Sequence, residues 1–324
     1  MNSYNYAFPK SLGSGDDPFI GLIEVANQQY PGFVEWVIDG GAGIGSFVDR
    51  VLKGATRCGV IAYEPLPENV KVLDSRFSGV NSVEIREAAL GNKSTNVSFE
   101  VPERTGIQNH PLWTPGTSPE GYVRKLGFVS RIKGIAKKLL RRRLESISVN
   151  MVRLDSDLNV SPDVIKLDLQ GGEPEALVGL GSLLARTKVV KIEVQMLDDD
   201  TRIRSVRILR DAGFSMLVED FQFHVPHLTD RLRATLEEYG MEIASEGRLN
   251  PADSEVMVKG SWSSKRPLPM QGVKLTREFA NVLSASKVSY FQVDLVALND
   301  RYAEQWESII SKELLALAGM KLRQ

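Results

Sequence analysis

The sequence predicts an α/β protein built on a doubly wound, mostly parallel sheet whose last strand runs antiparallel. Three observations carry this. Apolar runs of strand length alternate with amphipathic stretches of helical length, first from residue 35 to 90 and again from 163 to 220. Two early runs end in an acid, Asp39 and Glu64, and the first leads straight into a loop with glycines at 41, 43 and 45. Finally, YFQVDLVALND (290–300) reads as a late strand that returns after a long excursion from 214–220.

Each element has its own warrant. DDPFIGLIEVANQQY (16–30) opens with Asp and Pro and carries apolar residues at helical spacing, a helix ahead of the first strand. EWVIDG (35–40) is strand 1, SFVDRVLKGA a helix, and CGVIAYEP (58–65) strand 2. PENVKVLDSRFSG reads as a helix opened by Pro67 and Glu68, and VEIREAAL (83–90) as one strand. The alternation then breaks: NVSFEVPE (96–103) and SISVNMVRLDS (146–156) read as strands bracketing an irregular basic stretch. It resumes with DVIKLDLQ (163–170), a helix over 173–186, VVKIEVQ (189–195), a helix near 201–212 and FSMLVED (214–220), and the chain closes on an amphipathic helix. The expected organisation is one domain, residues 1–324, with insertions at 104–145 and 222–288, the second forming a substrate cover.

Composition bounds the function. The 324 residues hold 42% hydrophobic and 25% charged residues, ordinary for a soluble globular chain. Forty basic residues against 41 acidic give no overall field pointing to nucleic acid, which is not expected as a partner. One cysteine, Cys58, excludes an internal disulfide and fits a reducing compartment as a small buried residue. The first residues lack the pattern of a secretory signal, and no uncharged apolar run of membrane-spanning length occurs, so a cytoplasmic location is expected.

In open α/β sheets ligands bind outside the carboxyl ends of the strands, and glycines let backbone approach them closely. The glycines of VIDGGAGIGSF (37–47) admit a dinucleotide pyrophosphate, the amino-acid end of S-adenosylmethionine, or merely a tight turn. Their spacing is G-x-G-x-G, not the dinucleotide G-x-G-x-x-G. Asp39 is an awkward neighbour for a pyrophosphate but suits an amino group, and Glu64 suits ribose hydroxyls. These details favour S-adenosylmethionine over an NAD(P)-dependent oxidoreductase.

A more specific likeness begins at residue 163. DVIKLDLQGGEPEALVGL resembles the IKIDVEGAExxVLxGA block of the FkbM-type methyltransferases. VIDGGAGIGSF, VIAYEPLPENVKVL, EAALG, LDSDL (154–158), VVKIEVQ and QVDLVALN (292–299) follow the family's order. The resemblance implies a class I, Rossmann-like methyltransferase using S-adenosylmethionine, with O-methylation of a sugar or other small hydroxylated metabolite as its activity. It places Asp39, Gly41, Gly43, Gly45, Glu64, Pro65, Glu87 and Ala88 at the cofactor. Gln170 departs from the family's Glu, Gly172 from its usual Ala, and Gly41-Ala42-Gly43 from Gly-Ala-Asn.

Methyl transfer to an alcohol gains from a group that takes the hydroxyl proton. Asp168, ending its strand, is the best-placed carboxylate, and Glu173 and Glu193 match family positions; these three are the catalytic candidates. Each also has a plainer role. Asp168 can cap the next helix, and Glu173 is favourable at a helix start for dipole reasons alone. Glu193 inside an apolar strand calls for a partner, for which Lys166 is the nearest candidate. Of three histidines, His110 falls in the first insertion, while His224 and His227 could act with Asp220 as a base or metal pair; no recognisable ligand set accompanies them.

RKLGFVSRIKGIAKKLLRRRL (124–144) carries nine basic residues and no acid, with Phe128, Ile132, Ile135 and Leu139 on one helical stripe. It suits a helix docked on the core, a grip on an anionic or glycosylated small-molecule substrate, or contact with an anionic membrane surface. The last option keeps open a non-catalytic binding protein.

Overall fold

The computed structural model describes residues 17–55, 57–102, 144–195, 199–248, 254–262 and 277–311, with Leu315 and Met320. His110, the basic tract up to residue 143 and most of the 104–145 insertion lie outside the described residues. In chain order the elements begin with α1 (Pro18–Gln29), β1 (Trp36–Gly40), α2 (Ser46–Gly54), β2 (Gly59–Tyr63), α3 (Pro67–Arg76) and β3 (Val83–Arg86). Next come β4 (Ala89–Leu90), β5 (Thr95–Pro102), β6 (Leu144–Val152), α4 (Leu154–Asp157), β7 (Val164–Leu167) and α5 (Glu173–Gly179). The remainder is β8 (Val189–Gln195), α6 (Asp199–Asp211), β9 (Phe214–Val225), α7 (Asp230–Glu238), β10 (Met241–Arg248), β11 (Val256–Trp262), α8 (Arg277–Ala285), β12 (Tyr290–Asn299) and α9 (Ala303–Ile309). The fold is the α/β class the sequence predicts, with parallel strands early and an antiparallel late strand.

The chain divides into two compact units. The glycine-loop unit comprises residues 35–52 and 57–186. Its sheet runs β3-β2-β1-β7, every neighbour parallel, with Asp39 opposite Ala62 on one side and Lys166 on the other. β1 and β2 are buried on both faces because strands inside a parallel sheet are covered on both. Asp163 fixes the start of β1: its Oδ2 accepts the N–H groups of Glu35 (2.7 Å) and Trp36 (3.0 Å). A second, smaller sheet runs β4-β6-β5 over a core of Ala89, Phe99, Val149 and Met151.

Three predicted boundaries shift in this unit. The run 83–90 is two strands, because the Ala88 N–H bonds to the Arg86 carbonyl (2.9 Å) in a tight turn that sends Ala89 and Leu90 to the second sheet. LDSD at 154–157 is a helical turn, not the end of a strand; Asp157 meets Arg86 at 2.5 Å and the Tyr63 hydroxyl at 2.6 Å. The predicted helix 173–186 breaks at Gly181 (φ +50°) and finishes as a 3-10 turn.

The antiparallel unit comprises residues up to 34, 53–56 and from 187 onward. Asp17 caps α1, accepting the N–H groups of Phe19 and Ile20 at 3.1 Å each. β12 pairs antiparallel with β8 and with β9, as expected of the late strand. The described part of 222–288 supplies more strand than the sequence suggested. β9 runs on to Val225, β11 pairs with it, and β10 pairs with β11, all antiparallel. Alternation along β9 and β12 buries Phe221, Phe223 and Phe291 on one face, their ring centroids 6.1–6.4 Å apart. Among the described residues no helix is long and apolar enough to cross a membrane.

Candidate active site

Where β1 ends, the chain turns through the glycine loop into α2, and the loop is fixed from three sides. The Gly41 and Ala42 N–H groups both donate to the Tyr63 carbonyl at 3.0 Å. Gly41 has φ +73°, and a Cβ there would lie 2.1 Å from the Asp168 carbonyl oxygen, so the loop touches the exit of β7 too closely for any side chain. Gly43 has φ +56°, but no described atom stands within 4 Å of where its Cβ would be. Its N–H donates to Glu64 Oε2 at 2.8 Å. Glu64 Oε1 accepts the Leu66 N–H at 3.0 Å and the Asn69 amide at 3.2 Å. Burial pushes the Glu64 carboxyl up, and those three donors work against the rise.

A cavity of about 320 Å³ opens over this loop. Gly41, Gly43, Glu64, Pro65, Ala88 and Asp168 line it, six of the residues singled out in the sequence. Leu90 and Phe99 contribute apolar surface to its lining, and Arg50, Lys166 and Asp168 contribute charge.

Asp39, fully buried, does not line the cavity. Lys166 lies between: its ammonium is 3.0 Å from Asp39 Oδ1, donates to the Gly41 carbonyl at 3.0 Å and stands 3.8 Å from Asp168 Oδ2. Apart from that ion pair neither Asp39 oxygen has a hydrogen bond among the described residues. Burial drives the Asp39 carboxyl up and Lys166 opposes it. Asp168 Oδ1 accepts the Gln170 amide at 2.8 Å, and Gln170 itself holds φ +55°, a rare conformation for a residue with a side chain.

The remaining candidates lie elsewhere. Glu173 clasps the turn before α5, accepting the N–H groups of Leu169 (2.7 Å) and Gly171 (3.0 Å), and burial pushes its carboxyl up to about 7. Gly45 backs onto α3: a Cβ there would strike the Phe77 ring at 2.4 Å. Glu87 is exposed, and Glu193 sits on β8 in the antiparallel unit. His224 lies tilted against Tyr290 with ring centroids 4.8 Å apart, and His227 is exposed.

Sequence reasoning missed Arg50, Asn69 and Phe99 at this cavity and saw Lys166 only as a partner for Glu193. Lys166 was findable, since it shares a strand face with Asp168 two positions on. Phe99 was not, because it arrives from the second sheet.

A family model described as the methyltransferase FkbM domain matches residues 39–243. Among solved structures, methyltransferase FkbM from Methylobacillus flagellatus KT is 16% identical at a TM-score of 0.37. The match covers 57% of this chain and only 40% of that one. Precorrin-6y C5,15-methyltransferase from Geobacter metallireducens GS-15 is 13% identical, with a TM-score of 0.33, covering 79% and 94%. StiE O-MT is 11% identical, with a TM-score of 0.35, covering 92% and 77%. No curated protein sequence matches.

Proposed function

We propose, since the chain belongs to the FkbM methyltransferase family, that it transfers a methyl group from S-adenosylmethionine to a hydroxyl oxygen of a sugar or other small hydroxylated metabolite. The observation that carries the cofactor is the cavity over the glycine loop, where Glu64 follows β2 and Gly43 leaves open the volume a side chain would fill. Apolar lining with a buried carboxylate suits an adenosine, and the charges of Lys166, Arg50 and Asp168 suit a charged amino-acid tail.

When bound, that cofactor supplies an electrophilic methyl carbon on a sulfonium. The chain's own residues do the rest. Glu64 keeps acceptor capacity for a ribose hydroxyl, since a carboxylate offers about four lone-pair sites and the described donors use three. Lys166 holds the Gly41 carbonyl and so fixes the loop that frames the cavity. Asp168 is assigned as the base: Gln170 occupies Oδ1, leaving Oδ2 toward Lys166 to take the acceptor's hydroxyl proton. Much of the rate enhancement then comes from alignment and closeness of the reactants.

Isothermal titration tests the reading. The wild type should bind S-adenosylhomocysteine and give no heat with NAD. Glu64→Gln should bind at least ~10-fold more weakly, the equivalent of one lost charge-assisted hydrogen bond. Uptake of NAD in place of S-adenosylhomocysteine would overturn it. Labelled S-adenosylmethionine incubated with a metabolite extract then identifies the acceptor.

A further inference from the structure

A second cavity, of about 260 Å³, lies inside the antiparallel unit where the start of α7 meets the end of α8. His227, Thr229, Arg231, Ser286 and Lys287 line it, and among the described residues no carboxylate does. Among the described residues the side chains of His227, Arg231 and Lys287 make no ion pair or hydrogen bond, although all three are exposed and close to one hollow.

Two of these residues are poor choices for the backbone that carries them. Arg231 is the second residue of α7, whose N-cap is Thr229. A helix start is the positive end of the macrodipole, and a cation there is unfavourable. Lys287 follows α8 with φ +56°, its N–H on the Ser284 carbonyl and that of Val288 on Leu283, both at 3.0 Å. That left-handed closing position favours glycine. Two locally unfavourable choices that bring positive charge to the same hollow are what a binding site looks like, not what stability alone selects.

We propose that this cavity binds a phosphoryl group of a small molecule. The donors fit that chemistry better than a lone carboxylate. Arg231 offers a planar fork suited to two oxygens, and Lys287 offers a point charge. The first N–H groups of α7 have no partner within the helix. The Thr229 oxygen accepts the Leu232 N–H at 3.2 Å, which leaves its hydroxyl proton to donate, and Ser286 adds another hydroxyl. Three phosphoryl oxygens carrying close to two charges satisfy that set. The site is independent of the methyl-transfer reading and stands or falls separately from it.

Inorganic pyrophosphate is the probe, titrated into the full chain against sodium chloride of equal ionic strength and followed by phosphorus NMR and calorimetry. Saturable binding is expected for the wild type, at least ~10-fold weaker in Arg231→Ala and in Lys287→Gly. Neither variant should unfold: the first takes a cation off the positive end of a helix, the second puts glycine where glycine is favoured, so both should melt no lower than wild type. Lys71→Ala, which removes an exposed lysine from α3, should bind like wild type. The proposal is overturned if pyrophosphate does no more than chloride. It is equally overturned if the two cavity variants keep wild-type affinity, or if Lys71→Ala weakens binding as much as they do.

Discussion

Asp39 and Glu219 are both buried carboxylates on strands, and each is held by one lysine, yet the two pairs do different work. Asp39 sits directly opposite Lys166 on the adjacent strand. That ammonium also holds the Gly41 carbonyl and faces the cavity. Glu219 lies at the irregularity where β9 shifts register against Asp294 and Leu295 of β12. Lys191 reaches it from β8 and stands 3.9 Å from Asp294 and 5.4 Å from the Phe19 ring. Glu219, Asp294 and Asp17 together hold the Lys191 ammonium well above the ordinary lysine range, despite burial. Since Asp17 caps α1, this second lysine ties a helix end to the sheet. The same two residue types build a loop support in one unit and a structural clamp in the other; what differs is whether the lysine has a cavity beside it.

Removing the lysines should separate the two roles, with the largest effect at Lys166. Lys166→Met leaves Asp39 buried without its counter-ion, a loss of ~3–5 kcal/mol in stability, and S-adenosylhomocysteine binding should disappear with it. Lys191→Met should cost a similar ~3–5 kcal/mol, because three carboxylates lose their common cation, while the folded fraction keeps wild-type affinity. Chemical melts and calorimetry on the two variants decide this. Equal damage to binding from both would mean that the clamp and the loop support are one system, and the distinction would fall.

That distinction also marks what was legible in the sequence. The parallel strands, the glycine loop and the acids ending β1 and β2 follow from local patterns, since strand periodicity and turn chemistry act over a few residues. Lys166 was within reach from its place beside Asp168, but its pairing with Asp39 needed the register of β7 against β1, which no local pattern encodes. Phe99 needed the departure of Ala89 and Leu90 to a second sheet, decided by one tight turn at Arg86. The segment read as an insertion after Phe221 proved in its described part to add strands, because β9 runs past the acid-rich VED where an end was expected. Asp39 was legible as the acid ahead of the glycines, while its pairing with Lys166 was not, because that partner arrives from β7.

A smaller effect concerns pH. Glu173 is a buried carboxylate pushed up to about 7, clasped by N–H groups with no lysine beside it in the turn it closes. The folded state therefore binds its proton more tightly than the unfolded chain, whose glutamate titrates near 4.5. Its contribution is fully present below about 4.5 and is lost as pH rises through about 7. At ~1.4 kcal/mol per pKa unit the loss over this interval is ~3.5 kcal/mol at most, the opposing N–H donors already included. Urea melts at pH 5 and pH 8 should show this decline in wild type and a flatter response in Glu173→Gln. An unchanged slope in the variant would remove Glu173 as its source.

The mildest comparison uses two glycines. Gly43 in the glycine-loop unit (φ +56°) and Gly213 in the antiparallel unit (φ +84°) are both left-handed, and among the described residues neither has any atom within 4 Å of where an added methyl would stand. An alanine at either site meets no clash and costs only the backbone conformation, ~1 kcal/mol. Gly43→Ala and Gly213→Ala should therefore lower the melting temperature by the same few degrees. Only the first should weaken S-adenosylhomocysteine, because the open space at Gly43 belongs to the cavity and that at Gly213 does not. If Gly43→Ala binds as tightly as Gly213→Ala, that space is not where the cofactor lies, and the glycine is there for the turn alone.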